Sequence, residues 1–289
     1  MASSSTPLAN NLTLHRYKRT NKSYTEALGN DVVLTLMLMP AGEFLMGAPE
    51  EEPERVDDEG PQHLVKVPQF LMGRYAVTQA QWRVVANYDR VEQELDPDPS
   101  HFKGDNCPVE KVSWEDAQEF CRRLSARTGK DYRLPSEAQW EYACRAGTTT
   151  PFHFGETITP DLANYNGTET YNNGPKGDDR NGPKGNYRQE TTAVGSFPAN
   201  DWGLYDMHGN VWELCEDDYY SSYKGAPTDG SAWVEMDRTE PDRLLRGGSW
   251  GSNPGLCRSA YRYINPRVSR AVIVGFRVCC VPPRSLLSA

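Results

Sequence analysis

Aromatic, aliphatic and arginine side chains alternate with small turn residues in the segment 246–278. Large rigid aromatics and guanidinium groups dominate the contacts of protein binding surfaces, so this composition favours recognition of a ligand. The side chains expected to take part are Trp250, Tyr261, Tyr263 and Ile264, with Arg258, Arg262, Arg267 and Arg270 between them. A loop whose aromatic side chains pack into the core is an alternative interpretation of the same pattern.

The cysteines and histidines do not have the spacing of a metal or catalytic site. The chain has seven cysteines and five histidines, with no Cys-x-x-Cys pair and no Ser/His/Asp or Cys/His arrangement implied by spacing. No glycine-rich loop follows a strand and opens a helix, which argues against nucleotide binding. The odd number of cysteines and the lack of an apolar leader segment predict reduced thiols and a cytoplasmic location.

The bulk composition predicts one large, loop-rich domain. The 289 residues are 37% hydrophobic, enough for a sizeable core, and 24 glycines with 21 prolines favour irregular loops. The formal net charge of −9 excludes a general nucleic-acid surface, because neutralising phosphates requires an excess of lysine and arginine. No apolar run approaches the ~20 residues of a membrane span.

Hydrophobic patterns predict several strands in the first part of the chain. Residues 31–39 have the composition of a buried strand, residues 40–42 form a turn, and residues 43–47 return to complete a hairpin. Residues 63–67 and 70–75 are further strands. Near the C-terminus, residues 276–278 alternate as in a half-buried strand, whereas Asp217 and Asp218 are interpreted as part of a solvated face.

Side-chain caps predict the starts of three helices. The caps are Thr78 with Gln81, Ser113 before an acidic first turn, and Ser136 with Gln139. Gly129 and Gly147 are expected to end the second and third helices. Residues 148–199 contain no long element, so a loop of this length needs additional ties, and cations held by oxygen ligands would provide them.

Seven short motifs along the chain resemble, in their order, the formylglycine-generating enzyme (sulfatase-modifying factor) family. They are Gly42-Glu-Phe-Leu-Met-Gly47, Tyr75-Ala-Val-Thr78 with Trp82, Pro108-Val109 before Val112-Ser113-Trp114, Arg133-Leu-Pro135-Ser136-Glu137 with Trp140-Glu141, Gly203-Leu-Tyr-Asp-Met207, Gly209-Asn-Val-Trp-Glu213, and Arg246-Gly-Gly-Ser-Trp250 with Gly275-Phe276-Arg277. The resemblance covers roughly residues 35–281.

This resemblance implies an α+β, C-type lectin-like fold of the formylglycine-generating enzyme type. The expected architecture is a twisted antiparallel sheet with two main helices and extensive irregular loops. The domain would occupy residues 31–281, with a variable region at about 246–278. A polar and partly disordered N-terminal tail, 1–30, would precede it, and a C-terminal tail, 282–289, would follow.

Enzymes of the family oxidise a substrate cysteine to formylglycine with oxygen and copper, the metal being held by two cysteines five residues apart. The resemblance places these two positions at Ser252 and Cys257. Because Cu(I) selects soft thiolates, the hydroxyl at Ser252 argues against copper binding, and Cys257 is interpreted as a small buried apolar residue. An oxidase that pairs Cys257 with another thiol remains the enzymatic alternative. A second branch of the family uses iron held by histidines of a separate helical domain, which the five scattered histidines do not supply.

The C-terminal segment also resembles the variable region of a diversity-generating retroelement target protein, in which adenine-directed mutagenesis rewrites chosen codons. The constant background of such regions is matched by Arg246-Gly-Gly-Ser-Trp250, Pro254, Cys257-Arg-Ser-Ala260, Asn265-Pro266 and Gly275-Phe-Arg-Val278. The predicted ligand surface consists of Trp250, Gly251, Ser252, Leu256, Tyr261, Tyr263, Ile264 and Val268. The resemblance implies a non-catalytic protein that displays a diversified surface to an unidentified ligand, expected to be a protein. A binding protein of fixed specificity is the second alternative.

The family resemblance further implies two structural calcium sites. The first would use Asn164, the carbonyl of Tyr165, Asn186 and the carbonyl of Arg188. The second would use Glu213 with carbonyls at Gly209 and Val211. Oxygen ligands of this kind suit calcium, although the same side chains are also suited to hydrogen bonds with loop backbone.

Overall fold

The computed structural model describes residues 18–171, 185–235 and 242–283. The strands within these ranges are β1 (Ser23–Gly29), β2 (Val32–Met39), β3 (Gly42–Met46), β4 (His63–Val67), β5 (Phe70–Gly73), β6 (Tyr132–Arg133), β7 (Trp212–Asp218), β8 (Asp242–Arg246), β9 (Tyr263–Pro266), β10 (Val274–Gly275) and β11 (Cys279–Cys280). The helices are α1 (Gln79–Ala86), α2 (Trp114–Thr128) and α3 (Glu137–Arg145).

The strands form three sheets that are antiparallel with one exception. The first sheet has five strands in the order β1-β2-β5-β11-β6, and the second has four in the order β10-β7-β8-β9. Within the second sheet β10 pairs with β7 in parallel, while β8 pairs with both β7 and β9 in antiparallel orientation. Strands β3 and β4 form a separate pair. In the part of the chain that the structure describes, β9 therefore lies at the edge of its sheet.

The predicted helix caps are confirmed. Each of the three N-cap side chains accepts a hydrogen bond from the third backbone N–H of its helix, and the side chain at that position accepts one from the N-cap backbone. These reciprocal bonds satisfy donors that the first helical turn leaves free. Gly129 ends α2 in the left-handed region, with a φ of 68°. Ala146 ends α3 in the same region, one residue before the predicted Gly147.

Two expectations about the strands are wrong. Residues 31–39 and 43–47 do not form a hairpin, because both edges of β2 are occupied by β1 and β5, and β3 pairs with β4 instead. Residues 276–278 are not a half-buried strand. Phe276, Arg277 and Val278 are all buried between β10 and β11, since the guanidinium of Arg277 finds its partners inside the protein.

The ends of the described chain also differ from expectation. Strand β1 lies within residues 1–30, which the sequence indicates to be a polar tail, and it pairs along β2. Of the C-terminal tail 282–289, the structure describes residues up to 283. Within the described ranges, no helix combines the length and the apolar character needed to cross a lipid bilayer.

Two acidic residues at the end of β7 are buried, which overturns their interpretation as a solvated face. Asp217 is 4% exposed and accepts hydrogen bonds from the backbone N–H groups of Glu137 and Trp233. Asp218 is 2% exposed and pairs with Arg243 at 2.5 Å. Both carboxylates therefore connect elements inside the fold.

Candidate ligand-binding surface

The segment 246–278 begins with a turn that only glycine accommodates. Gly247 and Gly248 have φ values of 97° and 77°. A Cβ atom on Gly248 would collide with Sγ of Cys257, and one on Gly247 would press against the Trp140 ring. Positive φ and the missing side chains thus allow the chain to fold back closely over Cys257. Further along, β9 runs antiparallel to β8 as the outer strand of the sheet.

Arg246 is a fully buried anchor at the start of this segment. Its guanidinium pairs with Glu141 on α3 and donates to the carbonyl oxygens of Ser259, Ala260 and Tyr261. Burial alone would raise the pKa of Glu141, but the charges of Arg145 and Arg246 hold that pKa below its ordinary value. The ion pair therefore fixes residues 259–261 to α3.

Arg258 ties the middle of the segment to the acidic loop that precedes β4. Its guanidinium contacts Glu52 at 2.6 Å and both carboxylate oxygens of Glu59, at 2.5 and 2.8 Å. It also donates to the carbonyl oxygens of Glu54 and Gly255. Arg258 is fully buried, so this contact joins two stretches about 200 residues apart in a region without solvent.

Arg262 makes a third buried tie immediately before β9. Its Nε and Nη2 atoms donate to the two carboxylate oxygens of Glu137, at 2.7 and 3.0 Å. Its Nη1 atom donates to the carbonyl oxygens of Asp58 and Tyr220. A guanidinium held in this two-point geometry fixes both the position and the direction of the strand that follows.

Arg277 closes the segment from the other end. It binds Glu213 through two contacts of 2.6 Å and donates to the carbonyl oxygens of Gly73 and Tyr205. Glu213 also accepts a hydrogen bond from the Trp140 indole at 2.7 Å. Both carboxylate oxygens are thus occupied by neighbouring donors.

The predicted role in ligand contact needs correction for Arg258 and Arg262. Arg258 and Arg262 are buried in ion pairs, while Arg267 and Arg270 pair with Glu115 and Asp116 on α2. The charges of these four side chains are compensated within the described part of the chain. Arg258 and Arg262 hold the backbone in place, because a buried guanidinium without a carboxylate partner would be strongly unfavourable. The side chains of Arg267 and Arg270 are 32% and 54% exposed and remain partly accessible to a ligand.

The predicted surface residues differ in how far they reach solvent. Tyr263 is 41% exposed, Ile264 40% and Val268 60%. Gly251 is exposed as well, whereas Trp250, Leu256 and Tyr261 are half-buried. Ser252 is buried, and its hydroxyl hydrogen-bonds the backbone N–H and the hydroxyl of Ser249. The structure thus exposes four of the eight predicted residues, leaves three partly covered and places Ser252 beneath the surface.

Aromatic packing beneath β9 makes part of this surface rigid. The ring of Tyr263 stacks on the buried Trp212 with centroids 4.9 Å apart and planes inclined by 19°. The ring of Tyr261 also packs near Trp212, with centroids 6.0 Å apart and planes inclined by 42°. An aromatic ring that is packed on one face and open on the other offers contact area at a low cost in conformational entropy. Ile264 projects from the opposite face of β9, opposite Leu244.

Cys257 lies in an apolar environment beneath the turn. It is fully buried, and burial raises the pKa of its thiol. It belongs to an apolar cluster with Phe152, Ile158 and Tyr165. Its hydrogen-bond contact is a long one, from Sγ to the carbonyl oxygen of Asn253 at 3.9 Å. This environment matches the interpretation of Cys257 as a small buried apolar residue.

The first predicted calcium set contains an acceptor without a donor. Asn164 is 1% exposed, and its amide nitrogen donates to the carbonyl of Glu190 and to the side chain of Asn210. Its side-chain oxygen is buried and has no hydrogen-bond partner among the described residues. Tyr165 is buried next to it in sequence, Arg188 is half-buried and Asn186 is exposed. An orphaned buried oxygen of this kind is compatible with a cation ligand.

The second predicted calcium set does not fit a cation. Gly209 and Val211 are buried, but the oxygens of Glu213 receive the guanidinium of Arg277 and the indole of Trp140. A calcium ion on these oxygens would have to displace a buried cation. The role of Glu213 in this structure is therefore to bind Arg277.

Sequence reasoning identified the arginines of the segment but missed the carboxylates that hold them. These partners are Glu52, Glu59, Glu137, Glu141 and Glu213. One signal was available on α3, where Glu137 and Glu141 lie four residues apart in a short helix that also contains Trp140 and Ala143. Charged residues on the same face of a helix that is otherwise buried indicate internal ion pairs.

Comparison with known proteins finds related sequences over nearly the whole chain. The sequence profile of the sulfatase-modifying factor enzyme 1-like domain matches residues 23–281. The formylglycine-generating enzyme of Mycobacterium tuberculosis is 30% identical in an alignment that covers 86% of this chain and 98% of that protein. The profile match includes all the elements that hold the C-terminal segment.

Two solved structures with the same architecture are similar to this chain over about nine-tenths of its length. PvdO from Pseudomonas aeruginosa has a TM-score of 0.74 and 32% identity, covering 90% of this chain and 98% of its own. Treponema denticola variable protein 1 has a TM-score of 0.67 and 23% identity, covering 91% of this chain and 100% of its own. At that level of identity the second similarity shows a shared fold alone.

Proposed function

The chain belongs to the sulfatase-modifying factor enzyme 1-like domain family, and within this family we propose that it is a non-catalytic protein that binds a ligand through its C-terminal segment. The C-type lectin-like fold of the formylglycine-generating enzyme type, predicted from the sequence, is confirmed by its structural relatives. The proposed contact surface is centred on Tyr261, Tyr263, Ile264 and Val268.

One observation supports this proposal above the others. The arginines that match the constant background, among them Arg246, Arg258 and Arg277, are fully buried and bound to carboxylates. The positions expected to vary, such as Ile264 and Val268, are exposed. A segment built in this way keeps its backbone when surface side chains are replaced, because the bonds that determine its path come from other residues.

Ser252 is an exception to this division. It occupies a position expected to vary but is buried under the turn. Its two hydrogen bonds to Ser249 stabilise the turn, so a large side chain at this position would disturb the packing. We propose that Ser252 supports the surface from below and does not contact the ligand.

The alternative function is that of an oxidase of the formylglycine type, which the Mycobacterium relative favours. The residues at the two metal positions do not fit Cu(I), since Ser252 provides a hydroxyl and Cys257 provides one buried thiol. The hydroxyl of Ser252 is already engaged with Ser249. The ligand set thus supports a binding role for this family member.

Mass spectrometry tests the catalytic half of the proposal. The purified protein is incubated with copper, oxygen and a peptide that carries a sulfatase cysteine motif, beside the Mycobacterium enzyme as a positive control. We expect the peptide mass to remain unchanged in the presence of the wild-type protein and of the Cys257→Ala variant. Formation of formylglycine by the wild type, but not by the variant, would establish an oxidase.

The neighbouring DNA tests the diversified surface. We expect a near-copy of the coding segment for residues 246–278, with adenines at the codons that differ, next to a reverse transcriptase gene. If both are absent, the protein has a fixed specificity. If the differences fall on codons for Arg246, Arg258 or Arg277, the division between anchors and contacts is refuted.

We also propose that calcium binds at the first predicted set, where the orphaned oxygen of Asn164 is one ligand. The carbonyl oxygens of Tyr165 and Arg188 and the side chain of Asn186 would complete the site. A cation held there would link the loop around residue 164 to that around residue 187, and its role would be structural.

A further inference from the structure

A cavity opens at the end of β9, directly beside the proposed ligand surface. It has a volume of about 370 Å³ and is lined by Glu115, Asp242, Pro266, Arg267 and Val268. Asp242 begins β8 and pairs with Pro266, the last residue of β9. Val268 belongs both to this cavity and to the predicted ligand surface, so the two are continuous.

The lining of the cavity carries an excess of negative charge. Glu115 and Arg267 form an ion pair at 3.0 Å. Asp242 is exposed and makes no ion pair with any residue that the structure describes. Two carboxylates and one guanidinium leave a formal charge of −1, which a single positive group would balance.

The cation already present in the cavity has partners other than Asp242. The guanidinium of Arg267 lies over the Trp114 ring, with its central carbon 5.5 Å from the ring centroid, and it is bound to Glu115 at the same time. The Trp114 indole donates to the carbonyl of Cys215, so the ring itself is fixed. Arg267 is therefore positioned by two contacts, and neither of them involves Asp242.

The remaining walls are apolar. Val268 is 60% exposed, and Pro266 provides a rigid ring beside it. A lysine or arginine side chain has an aliphatic stem and a charged end, and it commonly lays the stem on apolar surface while its charge meets a carboxylate. The cavity offers both features, since Pro266 and Val268 line it together with Glu115 and Asp242.

We propose that this cavity binds a lysine or arginine side chain of a protein partner that lies across Ile264 and Val268. The inference rests on the proposed binding function and adds the chemistry of the partner. The net charge of −9 on the whole chain acts in the same direction, because it attracts a partner with a basic surface. A cationic side chain at this point would fix the orientation of the partner relative to β9.

Nuclear magnetic resonance with small probes tests the cavity without knowledge of the partner. The full chain, labelled with ¹⁵N, is titrated with Nα-acetyl-lysine methylamide and, in parallel, with the neutral Nα-acetyl-norleucine methylamide. We expect saturable shifts of the amide signals of Asp242, Arg267 and Val268 with the lysine probe, and much weaker shifts with the neutral probe. Magnesium chloride at equal concentration is a third arm.

Two variants distinguish the cavity from general charge effects. Asp242→Asn removes the carboxylate with little change in shape, and the lysine probe should bind about threefold more weakly or worse. Glu43→Gln removes an exposed carboxylate on β3, in a different sheet, and should leave the titration unchanged. Val268→Ser tests the apolar wall and should weaken both amino-acid probes.

Three results would overturn the proposal. They are equal shifts with the charged and neutral probes, equal binding to the wild type and Asp242→Asn, and a stronger response to magnesium than to the lysine probe. The titration is independent of the gene neighbourhood and of the peptide oxidation assay. Failure of the cavity proposal and failure of the proposed function therefore give different results.

Discussion

Replacing Arg258 by methionine is the most direct test of the buried anchors. The substitution keeps an unbranched apolar side chain but removes the guanidinium that contacts Glu52, Glu59 and two carbonyl oxygens. If the anchor determines the path of the C-terminal segment, the variant should lose much stability and release the acidic loop. If the contacts are incidental, the effect should be small.

The expected loss of unfolding free energy follows from the carboxylates that remain unpaired in the variant. Glu59 is fully buried and the Glu52 side chain is 2% exposed, so the variant contains two neighbouring carboxylates without their cation. Breaking a buried ion pair from one side costs about 3–5 kcal/mol, and we expect a loss in this range near neutral pH. Since small proteins have a total stability of about 5–15 kcal/mol, the variant should fold but unfold at a much lower urea concentration.

The loss should depend on pH in a defined direction. Burial already raises the pKa of Glu52 in the wild type, against the opposing influence of Arg258. Without Arg258 this pKa should rise further. A carboxyl whose pKa is higher in the folded than in the unfolded state contributes stability at low pH, and the contribution is lost as pH rises through the folded pKa. The variant should therefore be less destabilised at about pH 5 than at about pH 8.

Urea unfolding followed by tryptophan fluorescence at several pH values measures this difference. Arg267→Met is the matched control, because its pair with Glu115 is about one-third exposed and should contribute no more than about 1 kcal/mol. Adding Glu59→Gln to Arg258→Met should recover part of the loss. The reasoning is refuted if Arg258→Met costs no more than the control, or if its cost is the same at both pH values.

Three further predictions concern the surface, a buried carboxyl and the calcium set. In urea unfolding, Val268→Asn should change the unfolding free energy by less than about 0.5 kcal/mol, whereas Ser252→Tyr should lower it by about 1–3 kcal/mol. Similar losses for the two variants would contradict the assignment of Val268 to the ligand surface and of Ser252 to the packing beneath it. Burial and the neighbouring charge of Glu137 raise the pKa of Asp217 to about 8, so its contribution is complete at low pH and lost as pH rises through this value. Between about pH 5 and about pH 9, the unfolding free energy of Asp217→Asn should therefore rise relative to that of the wild type, and a constant difference would exclude the raised pKa. Calcium should raise the Tm of the wild type but not of Asn164→Ala, and an equal rise in both would place the ion elsewhere.

Local sequence was sufficient for the parts of the fold that depend on near neighbours. The helix caps at Thr78, Ser113 and Ser136 were predicted correctly because each capping box is completed within four residues. Order and spacing of short motifs indicated the fold. Such features need no knowledge of distant parts of the chain.

The partners of distant residues were decided by the tertiary structure alone. Strand β2 pairs with β1 and β5 rather than with the adjacent β3, although the intervening turn is typical of a hairpin. Arg258 meets Glu59 across 199 positions, and Arg277 meets Glu213 across 64. The residue type shows that an arginine is charged, but it does not show whether a buried carboxylate will pair with that arginine in the folded protein.

For this protein the sequence by itself determined the helix caps, the family and the presence of a serine at position 252. Only the tertiary structure decided which side chains of the C-terminal segment are anchors and which are exposed. The physical reason is that burial and charge pairing depend on the whole packed arrangement. An arginine that is exposed to solvent can contact a ligand. An arginine that is buried within hydrogen-bonding distance of a glutamate stabilises the fold instead.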